Sequence, residues 1–591
     1  MCIRDSIYGR ANSSYRAPYG WGVYDTVSWN WRASWSYVTG GHSAKLGYTG
    51  TEMKYDWVNY TNPSLMRYTF NNAARTQTTA ACVTQNGTAL CPTGVNYTIT
   101  EDFENANRAV AHSIFLQDQW TRGRMTLQGA LRYDYVYSWA PAEGNGTDQT
   151  SRFTSTPIRF PRTDSVTGYH DLSPRVGLAY DLFGNGRTAL KASVGRYLSA
   201  ATADGVYSSQ SPAGNFVRTV TNRAWTDSNG NFAVDCNLLS PAAQNTSATG
   251  GDICGALTGA NLNFGNTDPN TTRVDPALLS GWGVRPYNWR FGASIQHEVR
   301  PGISVDAGYN RRRWGNFNVT YNELVGPSDY DVWTVPVPNH PELPNAGGTE
   351  QYVAITPAAS ARGSRSFQTK EETVAGEART AYWHGVDLNG TARLANRATV
   401  QIGTSTGRGV RNTCALWRAR PQLQGSNSAD ACDVTEPWLT SFRGLASYTI
   451  PKIDVLASTT IRSTRTTASE NASNGTSLNA NYQIPNDVVQ TLLGRLPAGA
   501  SAAQTTTVNL LAPSEVYPLE RRTEVDVRIA KILRFGGRRL DVGFDLYNLF
   551  NSNTITSYDQ TFLFTNNGAT YLAPTAILNP RLARFNATLS F

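Results

Sequence analysis

The sequence has no uninterrupted apolar run near 18 residues, the length that a membrane-spanning helix needs. It therefore contains no transmembrane helix, and its mean hydropathy is only −0.39. A membrane is not excluded, because a barrel strand turns an apolar residue to lipid only at every second position. The chain is also poor in helix-favouring runs and is 11% aromatic, with 29 Tyr and 15 Trp. Its 591 residues are too many for one ordinary soluble domain.

The sequence also lacks the patterns of several functional classes. Its net charge of +8 comes from arginines that are scattered singly, without a basic helix or cluster. We place these arginines on the polar side of strands and expect no nucleic-acid partner. No C-x-x-C or H-x-x-H spacing is present, so we expect no zinc site and no cofactor.

Two short patterns resemble known sites, and both have a simpler interpretation. Residues 403–407 match the nucleophile elbow of hydrolases, but that motif needs a strand–turn–helix context and here lies within a predicted strand. The six histidines are dispersed, so we predict no catalytic residue and no enzyme. An oxygen-rich run resembles part of a calcium loop but lacks its glycine and glutamate positions, which leaves an Asx-rich turn or a Ca²⁺ site. This run contains Asp227, Asn229, Asn231 and Asp235.

Period-two alternation is the dominant pattern, and it predicts strands with two faces in different environments. About sixteen segments show it. They are Ile7–Tyr15, Tyr24–Val38, His42–Lys54, Arg108–Thr121, Arg124–Trp139, Asp171–Phe183, Arg187–Ser199, Tyr287–Arg300, Ile303–Phe317, Tyr382–Ala395, Ala398–Arg411, Leu439–Ile450, Lys452–Arg465, Glu524–Arg534, Arg538–Leu549 and Pro580–Phe591. The best strands have 12–15 residues, which exceeds the roughly 5–6 of soluble sheets and suffices to cross a bilayer.

The alternation also assigns side chains to faces. We predict that the following residues face lipid: Leu127, Leu131, Phe291, Ile295, Val542 and Phe544. We predict that these residues face a polar lumen: Gln128, Arg132, Arg290, Gln296 and Asp541.

The connections between the strands alternate strictly between tight turns and long polar segments. The long segments are 55–107, 140–170, 200–286, 318–381, 412–438, 466–523 and 551–579. This alternation is the pattern of short periplasmic turns and long extracellular loops in an outer-membrane barrel. The sequence therefore predicts an all-β, antiparallel transmembrane β-barrel.

Three stretches near the C-terminus resemble one known family. They are Arg528 to Phe535, Asp545 to Asn551, and Asn579 to Phe591. These stretches look like the C-terminus of a TonB-dependent outer-membrane receptor of the Oar-like group, which carries a carboxypeptidase-regulatory-like domain. The resemblance covers nearly the whole chain but only the barrel part of such a receptor.

The resemblance implies a 22-stranded barrel filled by an N-terminal plug. The sixteen predicted strands would be the last sixteen of these, in a barrel domain of residues 7–591. Residues 1–6 form no signal peptide, do not join the alternation, and are expected to be non-native or unstructured. The plug, the first strands and the segment that contacts the TonB complex would be missing from this chain.

The resemblance further implies TonB-dependent uptake of an unknown ligand captured by the extracellular loops, in the bacterial outer membrane. Two alternatives stay open, an Oar-like barrel for surface adhesion or secretion and a passive porin. The expected partners are outer-membrane lipid, the outer-membrane assembly machinery, and the TonB complex through the missing part.

Six of the seven cysteines fall as three neighbouring pairs, each within one predicted extracellular loop. The pairs are Cys82 and Cys91, Cys236 and Cys254, and Cys414 and Cys432. Neighbour pairing is one of fifteen connectivities, and the shared loops favour it. Disulfides suit a chain that passes through the oxidising periplasm.

The printed sequence ends on Phe591, in the middle of an alternating strand. A terminal aromatic residue in barrel families resembles the signal that the assembly machinery reads. An unpaired last strand offers its edge to a partner strand, and the ring supplies an anchor. We therefore expect Phe591 to act as an assembly signal.

Overall fold

The structure is a computed structural model, and it is dominated by one large antiparallel sheet. The residues that it describes are 14–15, 21–60, 65–70, 83–85, 88–90, 92–98, 102–144, 159–266, 268, 271–394, 398–465, 478–511 and 520–591. Among these residues, no helix is both long enough and apolar enough to cross a membrane.

Fifteen long strands form the wall of this sheet within the described residues, and each pairs antiparallel with the next. They are β1 (Trp21–Thr39), β2 (His42–Tyr60), β3 (Asp102–Arg122), β4 (Met125–Ala140), β5 (Gly168–Asp181), β6 (Thr188–Leu198), β7 (Tyr287–Arg300), β8 (Ile303–Gly315), β9 (Thr380–Arg393), β10 (Ala398–Asn412), β11 (Leu439–Ile450), β12 (Val455–Arg465), β13 (Arg521–Phe535), β14 (Arg538–Tyr547) and β15 (Leu582–Ser590). Strands β4 to β13 surround one cavity. The predicted all-β antiparallel architecture is therefore confirmed.

The strand register separates two faces of the sheet. Gln128 lies opposite Gly177 on the next strand. The residues opposite one another on the strands that follow are Ser193, Gly292 and Asn310. This row lines the cavity, so it marks the inner face. All predicted lumen residues lie on the same face of the sheet as this row. The predicted lipid-facing residues lie on the opposite face. The predicted assignment of the two faces is confirmed.

Tight turns join the strands at one end of the sheet, and the long segments join them at the other. We call these the turn end and the loop end. The turn between β13 and β14 uses Gly536 and Gly537, whose φ angles are 53° and 75°. Two consecutive residues with positive φ match the right-handed twist of paired strands, and glycine adopts this conformation without strain.

Strands β2 and β3 extend furthest beyond their predicted ranges. Strand β2 has 19 residues and β3 has 21. Charges lie on the outer face where the extra length begins: the ammonium nitrogen of Lys54 lies 2.7 Å from a carboxylate oxygen of Asp25 and 2.9 Å from one of Asp56. Arg108 also pairs with Asp56. Because these residues break the apolar alternation, the sequence pattern ended before the strands did.

The edges of the sheet differ from the rest. The predicted first strand, Ile7–Tyr15, lies outside the described residues except for Ser14–Tyr15, which pair with Met66–Phe70 in a separate loop sheet. No pairing joins β1 to β15 in the described part of the chain.

The long segments fold into short elements of their own. Their strands are Met66–Phe70, Val83–Gln85, Thr88–Leu90, Pro92–Thr98, Glu143–Gly144, Arg159–Phe160, Thr163–Asp164, Val220–Thr226, Gln244–Asn245, Ile253–Cys254, Arg273–Val274, Ser280–Trp282, Asn318–Asn322, Tyr330–Pro336, Thr349–Ile355, Ser366–Lys370, Asp433–Thr435, Asn481–Pro485, Thr505–Asn509, Ile555–Tyr558, Thr561–Leu563 and Pro574–Ile577. Their α-helices are α1 (Pro212–Asn215), α2 (Pro357–Ser360), α3 (Glu371–Ala375), α4 (Cys414–Ala419) and α5 (Asn486–Leu493). The loop end therefore carries folded structure on top of the sheet.

Candidate functional site

The inner face of the sheet encloses a cavity of about 1410 Å³. Charged and amide side chains from widely separated strands line it. They include Lys191, Asp306, Asn310, Asp387, Arg443, Arg462, Glu524 and Asp526. Both signs of charge occur around the wall, so the cavity suits a hydrated, polar ligand rather than an apolar one.

Three arginines form a basic wall on the loop side of this cavity. We call Arg175, Arg290 and Arg312 the lumen arginine wall. Two guanidinium groups stack on one ring: those of Arg175 and Arg290 lie 4.4 Å and 4.7 Å from the ring centre of Tyr197. The Nε atoms of Arg290 and Arg312 donate to the same amide oxygen of Asn288, at 3.0 Å and 3.1 Å.

The lumen arginine wall has no carboxylate partner among the residues that the structure describes. The register sets Arg290 opposite Arg312 on the inner face, so two like charges are neighbours. Like charges directly opposite in a sheet repel. A guanidinium group also keeps most of its five N–H donors free when only one is used. The wall is therefore prepared for an anion.

A folded body covers the loop end on one side. We call it the distal loop body, built from 330–355, 478–511 and 555–578. These segments share one hydrophobic core with Trp333, Tyr482 and Phe562 buried in it. The Tyr352 hydroxyl donates to the carbonyl oxygen of Asn509 at 2.8 Å and ties two segments together. Burial raises the pKa of the Tyr482 phenol to about 12, because the charged phenolate is disfavoured away from water.

A second core joins the loop after β2 to the loop after β6. Trp225 is buried in it, with its ring centre 4.8 Å from that of Tyr68. The indole nitrogen of Trp225 donates to a carboxylate oxygen of Asp252 at 2.9 Å. Trp225 and Trp333 therefore hold loops together, whereas Trp282 is 67% exposed on the outer face.

A buried charge network lies beside a third hydrophobic core, which contains Tyr207 and Val284. Its members are Arg132, Asp134, Asp171 and Arg285. The side chains of Arg285, Asp171 and Asp134 are 5%, 0% and 9% exposed. The Nε atom of Arg285 donates to Asp171 at 2.7 Å, and Arg132 donates to Asp134 at 2.9 Å. Arg132 is itself 37% exposed, but both buried carboxylates have an arginine partner, which is the condition for burying them.

The comparison with known families settles what this sheet is. Residues 6–404, more than half of the chain, match the family of the outer membrane beta barrel domain. The chain belongs to that family. It is therefore located in the bacterial outer membrane, with lipid around the outer face of the barrel. By the general rule for such barrels, the turn end faces the periplasm and the loop end faces the cell exterior.

Several solved structures resemble this chain at low sequence identity. The outer membrane transporter YddB from Escherichia coli has 10% identity and a TM-score of 0.41, over 97% of this chain and 67% of that one. The ferric citrate transporter FecA has 11% identity and a TM-score of 0.38, over 98% and 57%. The ferric yersiniabactin uptake receptor FyuA from Yersinia pestis has 7% identity and a TM-score of 0.36, over 98% and 60%. No curated protein matches the sequence significantly.

Two of the three predicted cysteine pairs lie in the described part of the barrel, and both are bonded. The Cα atoms of Cys236 and Cys254 are 6.4 Å apart, and those of Cys414 and Cys432 are 4.8 Å apart. The first bond lies in the second loop core. The third predicted pair, Cys82 with Cys91, lies outside the described residues.

The disulfides lead to a testable prediction. Replacing Cys414 and Cys432 together with alanine is expected to destabilise the loop 412–438 by about 2–4 kcal/mol, because the open loop regains entropy. Hydrogen exchange of this loop in the folded barrel would measure the loss, with segment 560–575 as the internal reference. Peptide mapping without reductant should yield the three neighbour pairs. Cross-loop pairs would contradict the assignment.

The remaining predicted positions have simple surroundings. The carboxylate of Asp227 accepts the backbone N–H groups of Gly230 and Phe232, which is the bonding of an Asx-rich turn. Ser405 lies inside strand β10, without a turn at the serine. Phe591 follows β15 at the turn end and is 98% exposed. Its role in assembly remains a prediction.

The sequence alone did not reveal the lumen arginine wall or the buried charge network. Asp134, Asp171 and Arg285 are far apart along the chain, and their meeting depends on loop packing. The lumen arginine wall could have been found by pairing the two predicted strands outward from the tight turn that joins them. That pairing places Arg290 opposite Arg312. The alternation had assigned Arg290 to the lumen but could not show its neighbours.

Proposed function

We propose that this chain is the barrel of a TonB-dependent outer-membrane receptor that captures a ligand with its extracellular loops and admits it to the lumen. Family membership supports the location, and the resemblance of the C-terminal stretches supports the TonB-dependent class. The coupling to the TonB complex would pass through a part of the receptor outside this chain.

One observation carries the proposal: folded loop bodies stand over a lumen lined by charged groups. The distal loop body offers a ligand a surface at the loop end before the ligand enters the lumen. Within that body, Arg495 pairs with Asp331 at 2.6 Å and donates to the Ile355 carbonyl at 2.9 Å, which joins two of its segments. Loops tied together in this way form a defined surface, which is what selective capture requires.

An uptake experiment tests the proposal. Cells that make the full-length protein receive three labelled probes in turn: a ferric siderophore mixture, an oligosaccharide and a peptide. We expect one probe class to accumulate, and accumulation to stop in an otherwise identical strain without TonB. Equal accumulation with and without TonB would identify a passive pore. Loss of cell–cell adhesion on gene deletion, with no probe taken up, would instead support the adhesion alternative.

The lumen arginine wall suggests the charge of the ligand. Replacing Arg290 and Arg312 with glutamine is expected to weaken binding of a small polyanion at least about a hundredfold, because hydrogen bonds to charged groups contribute about 1.5–3 kcal/mol each. Pyrophosphate serves as the probe, and the fluorescence of nearby Trp314 and Trp383 reports its binding.

The matched control for this prediction is Lys531→Gln combined with Arg538→Gln. Both cations lie on the outer face near the turn end, outside the lumen, so their replacement removes the same two charges from the protein. We expect the control to bind the probe as the wild type does. An equal loss in the control and in the double variant would show that net charge, and not the wall, attracts the anion.

A further inference from the structure

The outer face of the barrel has an unusual distribution of charge. Between Thr188 and Ser590, the wall strands β6 to β15 contain seven acidic residues, and the register places all of them on the lumen side. They are Glu298, Asp306, Asp387, Glu524, Asp526, Asp541 and Asp545. The outer face of these described strands therefore carries positive charge without negative charge.

Four arginines gather on this outer face near the loop end. We call Arg196, Arg311, Arg313 and Arg408 the outer arginine surface. Arg311 is opposite Phe291 on one side and His384 on the other, and His384 is opposite Arg408. The sequence-based expectation that arginines lie on the polar side of strands is wrong for these four.

The outer arginine surface lies at the level of the outer leaflet headgroups. Arg311 and Arg313 follow the start of β8 by eight and ten residues. At about 3.3 Å per residue and a strand tilt of about 40°, they stand about 20–25 Å above the turn end. That height is the upper edge of an apolar band about 25 Å tall. Below them the same face carries Val305 and Ala307.

Aromatic rings contact three of the four guanidinium groups, those of Arg196, Arg311 and Arg408. Arg311 lies 4.7 Å from the ring centre of Tyr382, and Arg408 lies 5.0 Å from that of Trp438. The Nε atom of Arg408 also donates to His384 at 3.2 Å. In the described part of the chain, none of the four arginines pairs with a carboxylate. Neither Arg311 nor Arg313 donates a side-chain hydrogen bond there.

Such a surface favours an anionic partner. Arg311 and Arg313 lie two residues apart on the same face of β8, so their like charges repel each other. Arginine matches phosphate geometry with two parallel hydrogen bonds. Tyr382 and Trp438 lie beside the same guanidinium groups, and Tyr and Trp rings prefer the membrane interface. Arg311 and Arg408 lie two strand spacings apart, or about 9.5 Å, so one headgroup with two phosphates spans them.

We propose that the outer arginine surface binds the phosphate groups of a phosphorylated glycolipid of the outer leaflet. The proposal goes beyond ligand uptake and holds for a receptor, an adhesin or a pore alike, because it concerns only the lipid-facing wall. Its failure would leave the proposed uptake function untouched.

Native mass spectrometry of the full-length protein in detergent tests the proposal. The probe is bisphosphorylated lipid A, and the comparison lipid is the same molecule without phosphates. We expect the wild type to retain the bisphosphorylated lipid at least ten times better than the dephosphorylated one. Inorganic phosphate at the same concentration should not displace it. Displacement by free phosphate, or equal retention of both lipids, would overturn the proposal.

Variants locate the binding. The triple replacement R311Q, R313Q and R408Q should reduce retention at least tenfold. The control K531Q with R538Q removes outer-face cations at the turn end and should retain the lipid fully. If the triple variant fails to fold, as judged by heat-modifiable mobility, R311Q alone decides, with an expected loss of at least threefold. Retention equal to the wild type in a folded arginine variant would overturn the proposal.

Discussion

Replacing Arg285 with methionine is expected to destabilise the barrel by about 3–5 kcal/mol, the largest effect that we predict for one residue. The substitution leaves the carboxylate of Asp171 buried without its cation, and breaking a buried pair costs about this much. Asp171 is fully buried, so water cannot replace the lost partner. Denaturant unfolding of the barrel in lipid bilayers, followed by tryptophan fluorescence, measures the change.

A second substitution distinguishes the loss of the Arg285–Asp171 ion pair from a general disruption of packing. Adding Asp171→Asn to Arg285→Met removes the stranded charge and should restore more than half of the lost stability, because the two residues act as a unit. The matched control is Arg162→Met, which breaks an exposed pair with Asp164 and should cost less than about 1 kcal/mol. If the double variant is no more stable than Arg285→Met, loss of the ion pair is not the cause of the destabilisation.

Placing an arginine at Ile295 is expected to cost about 2–4 kcal/mol of folding stability in a bilayer. Ile295 points outward from the middle of β7, and 42% of it is exposed on the protein surface. A charged residue near the bilayer midplane on the lipid face costs about this much. Folding yield and unfolding free energy in vesicles would report the loss.

The neighbouring residue supplies the control. Gln296 follows Ile295 on the same strand and turns to the lumen, where the Lys191 ammonium donates to its side-chain oxygen at 2.6 Å. Gln296→Arg should change stability by less than about 1 kcal/mol, since the lumen accepts charge. A similar loss in both variants would mean that the two faces of β7 do not differ in environment.

Much of the barrel's strand structure could be predicted, because the residues that define a strand or a turn are neighbours in the sequence. An alternating strand records its two environments in every pair of residues, so Leu131 and Arg132 were assigned to opposite faces without any contact information. The tight turns were equally visible, since Gly536 and Gly537 supply backbone angles that few other residues adopt. These features need only neighbours in sequence.

The site was less predictable because it depends on contacts between distant segments. Trp333 and Phe562 meet in the distal loop body although more than two hundred residues separate them. The outer arginine surface was missed for a different reason. Arg311 occupies an outward-facing position of β8, but an arginine in an alternating strand was assumed to mark the polar side. The aromatic contacts and the membrane level of that residue decide otherwise.

The shared core of the distal loop body limits how the protein can change during evolution. A substitution in one contributing loop alters the packing of the other two, so the three should vary together between related barrels. Exchanging a single loop to change ligand recognition would leave the core residues of the other two loops without their packing partners. Transplanting 330–355, 478–511 and 555–578 as one unit would instead move an intact recognition module onto a new wall.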